Sequence, residues 1–452
     1  MISLSKVLPL NQVCLAIALC AATSQSQGAI TDIATTPLVS SGTSVVKPNL
    51  LFILDDSGSM NSTYMPDEVG SWTGRVGYKN AHCNGVYYDP DIIYQLPKRY
   101  DGIVYPNASF TGAWTNGFNT AAGTVNLQTS FLAHGSDSAQ AAYYYRFNGP
   151  AAKPSSTQCQ QNSSNSFPHS SANFTKIRVT LGTAAEQQNF ANWYSYYRTR
   201  MLMMKSATGL AFNSIDDRFR VGFMTINTSQ VTTGTQFLNI APYNSPQKQL
   251  WYDKLYATVP GSSTPLRTAL DKAGKLYRKT LAGAVDPVEY SCQQNFTILS
   301  TDGYWNDSYS GVGDQDGNAT TMPRPMFDGG ANTSANNTLA DVAAYYYNTD
   351  LRPSPATGAL GTPVHENNVP PGVVDKAAHQ HMTTFAVGLG APGLMAYQTN
   401  YETASGGDFF NVKNGTLNNG ATPPAPCSWS AKNKPCDWPA PASNDPSTID
   451  DL

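Results

Sequence analysis

Apolar runs of strand length alternate with amphipathic stretches along most of this chain. Leu50-Leu51-Phe52-Ile53-Leu54 is unbroken apolar sequence, the pattern of a strand buried on both faces of a parallel sheet. Arg218–Ile226, Asn295–Gly303 and Met382–Gly390 read as further strands. Between them the period changes. Phe190, Tyr194, Tyr197, Met201 and Met204 recur at spacings of three and four and, with Trp193 and Leu202, predict one long helix over roughly 185–212. That stripe of Met and Tyr reads as core packing. Ser245–Tyr256 is a second helix. A third opens at Thr264-Pro265, where proline suits a first turn, and runs to about Leu281. Leu339–Leu351 is a fourth, with Val342, Ala343, Tyr346 and Tyr347 on one side. Such alternation predicts an α/β fold, a mostly parallel sheet with helices on both faces.

Two polar stretches interrupt the pattern. Residues 61–182 carry no sustained helical period and are rich in Tyr, Asn, Gly, Ser and Pro. They predict a large β-rich or irregular insertion, with short strands at Gly85–Tyr88, Gly102–Tyr105 and Ala142–Phe147. Long insertions beside a ligand site often carry specificity. Residues 304–337 form a second insertion. It contains Asp314-Gln315-Asp316-Gly317-Asn318, which hints at a calcium loop, but the twelfth position, where an acid belongs, is Pro325. Residues 29–47 are a polar lead-in, and 413–452 a Pro- and Asn-rich linker. There is no internal repeat.

Composition narrows the setting. Net charge is −3 and only 13% of residues are charged, so nothing basic points to nucleic acid. Lys6, the short apolar run Val13–Ala22 and the small residues after it read as a secretory signal peptide over 1–28, cleaved after Ser24 or Gly28. Leu19 before Cys20 is too bulky for a lipid-attachment box. No later stretch is apolar for long enough to span a membrane in the mature chain. An exported protein can form disulfides. Cys427 with Cys436, closing a short Pro-rich loop, and Cys83 with Cys159 are the expected pairs, leaving Cys292 over. No cysteine or histidine spacing fits zinc, and His379, His381 and the other histidines read as surface residues.

The strand ends carry the candidate chemistry. Asp55, Ser57 and Ser59 follow the first strand, Thr264 precedes a helix, and Asp302 follows the third strand. Loops at the carboxyl edge of an open α/β sheet are where such folds bind ligands. All five residues offer hard oxygen, the donor type for Mg²⁺ or Mn²⁺, with Ca²⁺ as the alternative. Two carboxylates and three hydroxyls hold an ion weakly and leave positions open for water or a partner's acidic group. That suits adhesion better than hydrolysis, because no base, nucleophile or oxyanion arrangement accompanies the set. Asp56 falls between ligand positions and is expected to point elsewhere.

In this order and on these elements, Asp55-x-Ser57-x-Ser59, Thr264 and Thr301-Asp302-Gly303 resemble the von Willebrand factor A domain and its metal-ion-dependent adhesion site. Longer segments are more specific. Pro48–Met60, Cys83–Pro90, Ser262–Tyr277, Cys292–Asn306 with its Asp-Gly-Tyr-Trp-Asn run, Leu339–Pro353 and Thr384–Gly390 together resemble the PilY family, also called PilC. That family comprises type IV pilus biogenesis proteins and tip adhesins. The resemblance implies a non-enzymatic, exported protein at the pilus tip, outer surface or periplasm. It implies pilins or minor pilins and a host or surface ligand as partners, and an A domain over 48–412. It also implies a C-terminal β-propeller, with Ser447–Leu452 as the linker leading to it. Two further functions stay open: a secreted assembly scaffold with no host ligand, and, least favoured, a metal-dependent hydrolase.

Overall fold

The computed structural model describes residues 46–229, 236–328, 335–420 and 426–452. The expected signal peptide and most of the lead-in lie outside them. Residues 46–452 form one compact unit, built on a five-stranded sheet. The chain forms strands β1 (Asn49–Leu54), β2 (Ala113–Trp114), β3 (Thr124–Val125), β4 (Tyr143–Phe147) and β5 (Phe174–Arg178), with the short helix α1 (Ser156–Cys159) between the last two. Helices α2 (Ala184–Tyr196) and α3 (Arg200–Phe212) follow, then β6 (Arg220–Thr225), β7 (Phe237–Pro242), α4 (Ser245–Ala257) and α5 (Leu266–Tyr277). The remainder is β8 (Asn295–Thr301), α6 (Leu339–Asn348), β9 (Thr383–Gly388), α7 (Asp408–Asn414) and α8 (Ser447–Asp450).

The sheet order is β7-β6-β1-β8-β9. β1 lies at its centre, parallel to β6 and β8, with Ile53 opposite both Met224 and Leu299. β9 is parallel to β8, whereas β7 is antiparallel to β6 at the edge. The unbroken apolar run of β1 follows from this position. Leu51 and Ile53 point to a core shared with Leu266, Leu270 and Tyr346 from α5 and α6. Leu50, Phe52 and Leu54 point the other way, to Met201, Met204, Trp251 and Leu255 from α3 and α4. A strand covered on both faces has no polar side to write into its sequence.

The helix expected over 185–212 is two helices. Tyr197 caps α2, and the Thr199 side chain accepts from Leu202 N to start α3. The break lets one apolar stripe serve two cores. Phe190, Trp193 and Tyr194 of α2 pack into the lobe made by the first insertion, while Met201 and Met204 face the sheet. That lobe is more ordered than its composition suggests. It has its own aromatic core, including Tyr78, Tyr88, Phe131 and Tyr143, an antiparallel β4–β5 pair, and a disulfide between Cys83 and Cys159. Of its three expected strands, only 142–147 forms a strand of that length. Lys98 and Val104 make an isolated bridge, and Gly85–Tyr88 is turn and coil, with Asn84 satisfying its backbone.

His381 is buried rather than on the surface, its Nε2 2.9 Å from Asp375 Oδ2. Nor is the chain beyond 413 a free linker. Cys427 and Cys436 are bonded within a small apolar cluster with Met395 and Val412. Asp451 accepts from Leu339 N and Ala340 N, so a carboxylate supplied from the far end of the chain meets the positive end of α6.

Candidate metal centre

The candidate residues meet where the parallel strands end. β1 delivers Asp55, fully buried, and the chain then turns through Gly58 and Ser59, which face solvent in part. Asp55 Oδ1 accepts from Ser57 N at 2.7 Å, so the carboxylate shapes its own loop. Its Oδ2 accepts from Thr301 Oγ1 at 2.7 Å and from Asp302 N at 3.3 Å, which ties the end of β1 to the end of β8. The hydroxyls continue the chain. Ser57 Oγ and Ser59 Oγ are 2.9 Å apart, and Ser59 Oγ donates to Asp302 Oδ1 at 2.8 Å. Four of the five predicted residues are thus joined side chain to side chain or through their own loop.

Thr264 is held beside them by backbone. Gly58 N donates to Ser262 O at 2.8 Å, and Gly261 N to Asp56 O at 3.0 Å, so the 261–264 segment runs along the first loop. Asn306 clamps Thr264 from the other side: its Oδ1 accepts from Thr264 N at 2.8 Å, and its own N–H donates to Thr264 O at 3.1 Å. Asp56 turns away, accepting from Asn227 and from Gln236 Nε2.

The charge balance holds a feature absent from the sequence reading. Arg200, at the start of α3, is buried and its Nη1 lies 3.0 Å from Asp302 Oδ2. The same guanidinium donates to Asp302 O, to Tyr64 O and to Asp67. One of the two candidate carboxylates is therefore already neutralised. Burial pushes Asp302 above the ordinary carboxylate range even though Arg200 pulls it down. Asp55 has no such cation: burial, then the Asp302 charge, push it up to about 6.

The donor set fits a small hard cation. Cis ligands of an octahedral ion bound at about 2.0–2.1 Å stand roughly 3 Å apart, and the spacings from Ser57 Oγ to Ser59 Oγ and from Ser59 Oγ to Asp302 Oδ1 are 2.9 and 2.8 Å. Asp55, raised by burial and then by the Asp302 charge, is the carboxylate such an ion would relieve. Two residues of this neighbourhood carried a sequence signal that spacing alone did not rank: Thr301 within Thr-Asp-Gly and Asn306 within Asp-Gly-Tyr-Trp-Asn.

No protein-family model matches the chain, and no solved structure gives a significant match. Curated proteins do. Type IV pilus biogenesis factor PilY1 of Pseudomonas aeruginosa strain PAK is 32% identical over 410 residues, covering 80% of this chain and 34% of the relative. The protein of the same name from strain PAO1 is 32% identical over 457 residues, covering 90% and 36%. That from strain UCBPP-PA14 is 32% identical over 390 residues, covering 76% and 31%. The chain spans about a third of the length of these relatives. Matching them along most of its own length, the chain belongs to the PilY1/PilC family.

Proposed function

We propose that this chain is the von Willebrand factor A-type part of a type IV pilus biogenesis factor and adhesin, and that it binds a protein or surface ligand through a cation held at the ends of β1 and β8. The observation that carries this reading is the continuous run of oxygen ligands Asp55–Ser57–Ser59–Asp302 at the carboxyl edge of a parallel sheet, with Thr264 pinned alongside. Asp55, Ser57, Ser59, Thr264 and Asp302 would hold Mg²⁺ or Mn²⁺. A bound divalent cation supplies an open coordination position that an acidic group of a partner can fill. The chain's own part is orientation. Asp55 sets the loop, Arg200 holds Asp302 in place, and the partly exposed Gly58–Ser59 tip leaves access from solvent. The names of the relatives, type IV pilus biogenesis factor, support a pilus setting; the partners proposed for it are pilins or minor pilins and a host or surface ligand, and the proposed route is export. No helix among the described residues is long and apolar enough to cross a membrane.

The test is a strain that makes the Ser57→Ala/Ser59→Ala variant in place of its own protein, scored for surface pili and for attachment with equal amounts of exported protein. Normal pili with impaired attachment are expected if the site serves adhesion, and loss of pili if it serves assembly. Wild-type pili together with wild-type attachment contradict the proposal.

A further inference from the structure

The second insertion gathers acidic side chains that the strand-end site does not use. Carboxylate oxygens of Asp314, Asp316 and Asp328 all lie within 4.8 Å of one another. Asp316 is 6% exposed, and its Oδ1 is buried with no hydrogen-bond partner among the described residues. A buried carboxylate without a donor is strongly unfavourable unless a cation or a proton meets it. The charges around this one make matters worse. After burial itself, Asp328, Asp341, Asp314 and Asp451 all push the Asp316 carboxyl upward, to about 8.

The surrounding backbone holds the cluster in place. Asp341, at the start of α6, accepts from Gln315 N at 2.5 Å and from Thr338 N at 2.9 Å, which seats the loop on the helix. Asn337 Oδ1 accepts from the backbone of residues 311, 312 and 313. Asp314 Oδ1 accepts from Gly317 N at 2.6 Å, and a Cβ at 317 would lie 2.2 Å from the same carboxylate, so only glycine lets Asp314 fold back there. The other side of the cluster is anchored separately. Arg324 donates to Val412 O and Cys436 O and pairs with Asp437, fixing the segment that leads to Asp328 on the Cys427–Cys436 cluster.

We propose that Asp314, Asp316 and Asp328 form a second cation site, for Ca²⁺, that clasps the two ends of the 314–328 loop. The donors are all oxygen. Ligand oxygens around a calcium ion bound at about 2.3–2.6 Å stand no more than about 4.6–5.2 Å apart, and the three carboxylates, all within 4.8 Å of one another, fall inside that limit. The Asp-x-Asp-x-Asn spacing at 314–318 lacks the acid that a calcium loop carries at its twelfth position, which here is Pro325. The fold supplies Asp328 instead, three residues later, after the loop has closed on itself.

The two sites share no residue, so they can be separated. In the Ser57→Ala/Ser59→Ala chain, calorimetric titration with CaCl₂ should still show one bound Ca²⁺ per chain. Adding Asp316→Asn should abolish it, and Asp328→Asn should weaken it at least tenfold. A second measurement needs no change at the strand ends. In chelator near neutral pH, the single variant Asp316→Asn should melt above wild type, since a buried carboxyl that must take up a proton on folding has gone. Calcium should then raise the melting temperature of wild type at the 314–328 loop, seen as amide-exchange protection of residues 311–328, and leave the variant unchanged. Undiminished calcium binding in Asp316→Asn and Asp328→Asn, or no calcium-dependent protection in wild type, overturns the proposal.

Discussion

Arg200 joins the first insertion to the strand-end site, and removing it should expose how much the site depends on that joint. Its side chain is 1% exposed and that of Asp302 0%. Arg200→Met deletes the guanidinium contacts to Asp302, Tyr64 O and Asp67 while keeping an apolar stem of similar length in the same space. Asp67 is 42% exposed, so its stranded charge returns to water at little cost. Asp302 has no such escape. Breaking a buried pair by removing one partner costs about 3–5 kcal/mol, because the charge left behind stays desolvated. Urea unfolding of the chain in chelator at pH 7.5, followed by tryptophan fluorescence, should therefore show a loss of about 3–5 kcal/mol for Arg200→Met. Asp302→Asn alone should also destabilise. The double variant should lose clearly less than the sum of the two, as coupled neighbours do. Lowering the pH to 5 should shrink the Arg200→Met loss, since an Asp302 freed of its cation takes up a proton. A loss under about 1 kcal/mol, or strictly additive single variants, would refute the reasoning.

Other outcomes follow from the same geometry. Asp55 titrates at about 6 in the folded chain against an ordinary 3.8. Its contribution to stability is therefore fully present below pH 3.8 and lost as pH rises through 6, about 3 kcal/mol in all. Melting in chelator between pH 4.5 and 7.5 should show about 2 kcal/mol of that loss, and Asp55→Asn should flatten it. Gly274 of α5 faces the Tyr346 ring, which a Cβ would approach to 2.3 Å. Gly274→Ala should thus destabilise by about 1–3 kcal/mol despite alanine's better helix propensity, measured as a lower urea midpoint. Replacing Cys83 and Cys159 by serine opens a loop with a sequence separation of 76. The variant should lose about 2–4 kcal/mol, and limited proteolysis should cut first within 61–182.

The alternation of buried strands and amphipathic helices was legible because β1 buries both faces and therefore writes an unbroken apolar run, and β6 and β8 keep apolar residues at most of their central positions. β7 escaped notice. It is an antiparallel edge strand, four of whose six residues are only partly buried, and its sequence Phe-Leu-Asn-Ile-Ala-Pro has no clean period. The split between α2 and α3 was hidden for another reason. The apolar stripe runs through Tyr197 without interruption, while the turn there is dictated by which core each half meets. At the site, Asp55, Ser57, Ser59, Thr264 and Asp302 were readable from spacing, since each sits at the end of a strand or the start of a helix. Arg200 was not. Its partner Asp302 is 102 residues away, and nothing in a local window distinguishes an arginine that caps a buried carboxylate from one that faces water. The same limit applies to Asp328, which meets Asp316 only after the loop between them has folded back.

The central claim is that the loop ending β1 holds a divalent cation. The most direct test is Mn²⁺ binding, by electron paramagnetic resonance, to the chain carrying Asp316→Asn so that the second acidic cluster is silent. One Mn²⁺ per chain, displaced by Mg²⁺ and reduced at least tenfold in affinity by Ser57→Ala/Ser59→Ala with the melting transition retained, is the predicted result. Mn²⁺ binding of the same strength with and without those two hydroxyls, or no binding at all to the folded chain, would contradict it.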